Sequence, residues 1–199
     1  MKVTFFTLLI IPFLIACHST TDDDIVLHYE GEDSEYVKEQ EIGDHYFNVR
    51  YQSPLYQSYT ELLGISFTQV QLDSLKDRYN KGIQFVVSLS SNPNSTSAVT
   101  LSDAIFDSRT NVKMTSILSE SFKLEVNGEI LPPSFFHIER GLIQNQKVTI
   151  LLGFSKPQEI QEFVLIYNDL LLGVGKLQFR YNYNQLSDLY IPVKIDNKT

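Results

Sequence analysis

The sequence predicts a mainly β fold: an antiparallel β-sandwich, with an immunoglobulin-like architecture among its candidate forms, carrying one or two short covering helices. Three observations point there. Short runs rich in aromatic and β-branched residues alternate with polar ones, which is the period-two pattern of half-buried strands. Turn residues such as Lys156-Pro157, Asn168-Asp169 and Asn184 separate those runs, as the short strands of a sandwich or barrel require. Finally, FKLEVNGEIL spells a hairpin. Phe122, Leu124 and Val126 alternate with polar neighbours, Asn127-Gly128 supplies the positive φ angles of a type I′ turn, and Ile130 begins the return strand.

Taken in order, His45–Tyr51 reads as the first strand of the folded part. Ser53-Pro54 then opens a short helix to Leu63, with serine as the cap and proline at the first helical position, where its missing N–H leaves no bond unmade. A second helix spans Thr68 to Lys81, with Leu72, Leu75 and Tyr79 at helical spacing and Gly82 as its stop. Both helices are expected to cover an edge or open end of a sheet. Ile83–Leu89 is a strand. Between Asn92 and Ser121 polar turns lead to a short helix around Asn111–Leu118. After the hairpin come strands at Lys147–Phe154, Glu162–Tyr167, Gly175–Tyr183 and Leu189–Ile195. Residues 42–199 suffice for one domain with a single core.

The amino-terminal part is different. MKVTFFTLLIIPFLIA, residues 1–16, has a basic start, an apolar centre and a small last residue, the form of a secretory signal. The apolar run from Val3 to Cys17 is shorter than the roughly 20 residues that cross a bilayer. Cys17 is the one cysteine of the chain, so it has no disulfide partner within it. Leu14-Ile15-Ala16-Cys17 resembles the lipobox of bacterial lipoproteins. The resemblance implies that the Cys17 thiol receives a diacylglyceryl group, that the signal is cut before it, and that the new amino terminus is acylated. Two or three acyl chains, at about 0.8 kcal/mol per buried CH₂, hold a protein stably on a membrane.

From Cys17 to Glu41 nine acids face one base, Lys38, whereas residues 42–199 are nearly neutral. Residues 17–41 are therefore expected to be an acidic, flexible tether, holding the domain roughly 25–30 Å from the lipid. STTDDD resembles the acid-rich signals that send lipoproteins of Bacteroidota-type bacteria to the outer face of the outer membrane. Phe135–Arg140, with Leu151-Leu152-Gly153-Phe154, resembles segments of uncharacterised Bacteroidota lipoproteins. These resemblances imply an outer-membrane location, on either its periplasmic or its cell-surface side. Without clustered Lys and Arg, nucleic acid is not an expected partner.

No cofactor is expected, and no metal. His18, His28, His45 and His137 stand apart from one another, and Asp22-Asp23-Asp24 lacks the alternation and turn glycine of a calcium loop. Gly173-Val174-Gly175-Lys176 is not a phosphate loop, because Leu170 and Leu177 replace the first glycine and the hydroxyl residue that such a loop needs. No G-x-S-x-G elbow is present. The remaining constellation is Phe135-Phe136-His137-Ile138-Glu139-Arg140. On a strand, His137 and Glu139 would share one face, where a carboxylate beside an imidazole makes a general base. No nucleophile accompanies them, so a structural pair is preferred. His137, Glu139 and Arg140 are candidate binding residues, and Tyr51, Tyr56 and Tyr59 are candidates for a binding surface, against ordinary packing. The expected role is thus non-enzymatic: an accessory or protein-binding lipoprotein with an envelope protein partner. Binding of carbohydrate or a small ligand, and an envelope enzyme using His137 and Glu139, are the alternatives.

Overall fold

The computed structural model describes residues 21–91, 111–139 and 147–192. In chain order its elements are helix α1 (Asp22–Glu30), strands β1 (Val37–Ile42) and β2 (His45–Gln52), helices α2 (Pro54–Leu62) and α3 (Gln69–Tyr79), and strand β3 (Gly82–Ser91). Helix α4 (Asn111–Ser121) follows, then strands β4 (Phe122–Val126), β5 (Glu129–Leu131), β6 (Phe135–Glu139), β7 (Lys147–Ser155), β8 (Glu162–Asn168) and β9 (Lys176–Asn182). The strands form two antiparallel sheets, β1-β2-β3-β7-β6 and β5-β4-β8-β9. The molecule is the predicted β-sandwich.

Alternation explains the two layers. Every second residue of β2, β3, β7 and β9 is buried, so each sheet turns one apolar face to the other. Tyr51 meets Phe163 with ring centroids 5.1 Å apart, and Phe85 lies 5.7 Å from Tyr181. Farther along β2, Phe47 packs on Tyr167 at 5.4 Å. The Tyr181 hydroxyl donates to the Val49 carbonyl across the layers at 2.9 Å, which makes a tyrosine tolerable in this core. Asn127 and Gly128 take φ of 51° and 83°, as the β4–β5 hairpin turn requires. Helices α2, α3 and α4 lie where the sequence predicts them, with Ser53 and Thr68 as amino-terminal caps.

Three expectations need correction. The acidic stretch 17–41 is not a tether in its described part. Residues 22–30 form α1 and residues 37–42 form β1, an edge strand paired with β2. Ile25 and Tyr29 are buried on one face of α1. Burial of these side chains, with a capping box between Thr21 and Asp24, outweighs the charge repulsion that would extend the chain. The acids fall where they do little harm: Asp22, Asp23 and Asp24 occupy the first turn of α1, whose dipole favours negative charge. Secondly, Leu189–Pro192 is not a strand, although Ile191 is buried. Pro192 has no N–H to give a ladder, and the rest of that run lies outside the described residues. Thirdly, the α3 cap is Asn80, and Gly82 begins β3. Residues 1–16, where a signal sequence is expected, and Cys17 also lie outside the described residues.

Candidate functional site

The chain turns from β5 into β6 through Pro132, Pro133 and Ser134, passing from one sheet to the other. On the opposite side of the sandwich Lys38 of β1 lies over the Tyr181 ring of β9, and Gln40 donates to the Gln178 carbonyl at 2.9 Å. So, among the described residues, β1 and β9 form one open side, and β5 and β6 form the other. The two sides differ in chemistry. The first carries Lys38, Glu39, Glu41, Lys176 and Arg180, the charges that guard a strand edge against pairing. The second carries Ile130 and Phe135, which are 52% and 55% exposed, beside Glu129 and Glu139.

His137 and Glu139 lie on this second side. Both are exposed and share a face of β6, as the sequence implies, with Phe136 and Ile138 turned toward the core. Phe135 stacks near His137, with centroids 6.4 Å apart at 28°. Opposite Phe135 in the ladder is Gly153, where an added Cβ would come within 3.1 Å of the Phe135 Cβ. That glycine lets the phenyl ring lie close against β7. The Ser134 N–H donates to the Gly153 carbonyl at 2.8 Å and fixes where β6 begins. Arg140 lies outside the described residues.

The tyrosines take the other role. Tyr51, Tyr56 and Tyr59 are buried, so they offer no surface to a ligand. They belong to an aromatic cluster that seats α1. Tyr29 of that helix packs on Tyr36 at 4.7 Å and on Tyr56 at 4.6 Å. The Tyr56 hydroxyl donates to Glu30 and the Tyr59 hydroxyl to Asp22, each at 2.6 Å, while Arg50 pairs with Glu30 at 2.6 Å. Burial, and then the neighbouring carboxylates, push the Tyr29, Tyr56 and Tyr59 phenols well above the usual tyrosine value. They therefore remain neutral donors. Acids that would solvate a tether are thus engaged in internal bonds.

Beside α1 an open cleft of about 800 Å³ is lined by Asp24, His28, Glu32, Asp33 and Glu35, with Gln185 across from them. The His28 Nε2–H donates to the Ser187 carbonyl at 2.8 Å, which ties α1 to the carboxyl-terminal segment. Among the described residues no group of three or more His, Cys, Asp or Glu side chains could hold a metal.

The glycine-rich loop between β8 and β9 folds around an anion of its own. The Asp169 carboxylate accepts from the N–H groups of Leu171 (2.8 Å), Leu172 (2.7 Å) and Val174 (2.6 Å), and from the Tyr167 hydroxyl (3.0 Å). Gly173 and Gly175 hold φ of 73° and 79° to allow this turn. Burial alone would raise the Asp169 pKa, but those four bonds outweigh it and hold the carboxyl below its ordinary value. The backbone donors that a phosphate loop would offer a nucleotide are engaged by Asp169.

No protein-family model matches this chain, and no curated protein does. Among solved structures it is similar to a DUF4426 family protein from Pseudomonas aeruginosa PAO1. The likeness covers 74% of this chain and 93% of that one, at 11% identity and a TM-score of 0.37. A likeness of that degree carries no argument about function.

Proposed function

We propose that this chain is an outer-membrane lipoprotein, anchored through acyl groups on Cys17, whose β-sandwich is a non-enzymatic protein-binding module. The observation that carries the binding role is the contrast between the two open sides of the sandwich. One is guarded by charge, while the other presents Ile130 and Phe135 on strand edges. Such an edge accepts an added strand from a partner: the backbone supplies the hydrogen bonds, and pockets for alternate side chains supply selectivity. Exposed aromatic residues are also the commonest anchors of protein interfaces. His137 and Glu139 fit this role as polar neighbours of the Phe135 anchor, since they stand on an open edge and outside the cleft.

Capture of envelope proteins by the full-length chain from detergent-solubilised membranes tests the binding role. Phe135→Lys should reduce recovery of a specific partner by about tenfold or more, while Arg180→Ala on the guarded side should leave it unchanged. Equal recovery by both variants would remove the β6 edge from consideration. Recovery of no partner, joined to loss of a cellular phenotype in His137→Ala, would favour the enzyme reading. The anchor is tested separately: Cys17→Ser should abolish incorporation of labelled fatty acid, and persistence of the label would sink the lipoprotein reading.

A further inference from the structure

Resting on the anchor at Cys17, we propose that the sandwich is not held away from the membrane but lies with one end on it, Leu63 and Ile65 entering the interface of a zwitterionic bilayer. The first argument is length. Only five Cα-to-Cα steps, through four intervening residues, separate Cys17 from Asp22, where α1 begins. Even fully extended they span at most about 18 Å, and α1 is bonded to the domain from its first turn.

The second argument is where that short connection ends. Asp22, at the start of α1, accepts from Tyr59 in the last turns of α2, whereas Glu30, at the end of α1, accepts from Tyr56 nearer the start of α2. The two helices therefore run antiparallel, and the chain from Cys17 joins the domain at the carboxyl-terminal end of α2. Leu63 and Ile65 follow there directly. A tight turn, with the Ile65 N–H donating to the Leu62 carbonyl at 3.2 Å and Gly64 at φ 82°, leaves them 52% and 55% exposed. Leu63 lies four residues past Tyr59, so it continues the helix face that meets Asp22. Two exposed aliphatic side chains would not hold a free protein on a bilayer. They can orient one that its own anchor already keeps at high local concentration. The acids Asp22, Asp23 and Asp24 beside them favour a zwitterionic surface over an anionic one.

The opposite end of the sandwich supplies the control. Tyr51, near the α2 end of β2, packs on Phe163, whereas Phe47 packs on Tyr167, so the β8–β9 loop with its exposed Leu170 lies at the far end. The chain contains no tryptophan, and single substitutions Ile65→Trp, Leu63→Trp and Leu170→Trp each introduce a unique fluorophore. The lipidated full-length variants are reconstituted into phosphatidylcholine vesicles whose acyl chains carry bromine, a short-range quencher. Quenching at position 65 or 63 should exceed that at position 170 by roughly threefold or more, as expected for side chains within 5–10 Å of the acyl boundary. Equal, weak quenching at all three positions, in protein whose mass confirms the lipid on Cys17, would overturn the inference and leave the anchor standing. Protein whose mass shows no lipid on Cys17 would overturn both.

Discussion

Replacing Tyr29 with alanine is expected to cost the fold about 3–5 kcal/mol, the usual range for removing a buried aromatic side chain. Tyr29 is fully buried, stacks on Tyr56 and packs edge-on to Tyr36. Its hydroxyl accepts from the Leu189 N–H at 3.2 Å and donates to the Asp188 carboxylate at 3.3 Å. In a protein of this size the loss corresponds to a fall in thermal midpoint of roughly 6–20 °C. Tyr29→Phe keeps the ring but leaves the Leu189 N–H without its acceptor and Asp188 without the Tyr29 donor, so about 1–3 kcal/mol is expected. Urea unfolding of the two variants measures both. A solvated spacer would show neither effect, since exposed substitutions usually stay within about 0.5 kcal/mol; a Tyr29→Ala midpoint equal to wild type would restore the tether.

The second large effect is expected at Asp169. Asp169→Ala removes the shared acceptor of three N–H groups and the Tyr167 hydroxyl. Hydrogen bonds to a charged group contribute about 1.5–3 kcal/mol each but not additively, so a loss on the order of 3 kcal/mol is expected. The pH dependence has a definite sign. Because the native pKa lies below the ordinary 3.8, the unfolded chain takes up the proton first as pH falls. The carboxylate's contribution is therefore fully present above the unfolded value and is lost as pH drops through the native one. The stability gap between wild type and Asp169→Asn should be widest near pH 7 and should narrow below about pH 4. A gap that widened in acid would contradict the cradle.

The fold is legible where one local signal suffices. Asn127-Gly128 specifies its hairpin, Ser53-Pro54 its helix start, and alternation specifies β2, β3, β7 and β9. Helix α1 is hidden because its charge count suggests a solvated coil. The contrary signals are present in the same residues: Thr21 three positions before Asp24, and Ile25 four before Tyr29. Strand β1 is hidden similarly, since the charges of Val37–Ile42 are those of a guarded edge. Leu189, Tyr190 and Ile191 have the composition of a strand, yet Pro192 interrupts them and the partner of the Leu189 N–H is supplied by α1. Of the site, the shared face of His137 and Glu139 follows from strand geometry, whereas Tyr51 is buried by the facing sheet and Tyr56 and Tyr59 by packing that involves α1, a helix hidden in the sequence. The cradle role of Asp169 has one trace, its position just before a run of glycines that permit a backbone nest.

The bond between Leu189 and Tyr29 joins residues 160 positions apart, and this has a bearing on the order of events during synthesis. A chain that emerges amino terminus first delivers α1 at once, but the partners of Tyr29 and His28 at Ser187, Asp188 and Leu189 arrive close to the end. Helix α1 therefore cannot complete its contacts until almost the whole polypeptide is available, and long-range closure of this kind is slow to form. The last step of folding then draws α1 and the carboxyl-terminal segment of the domain together.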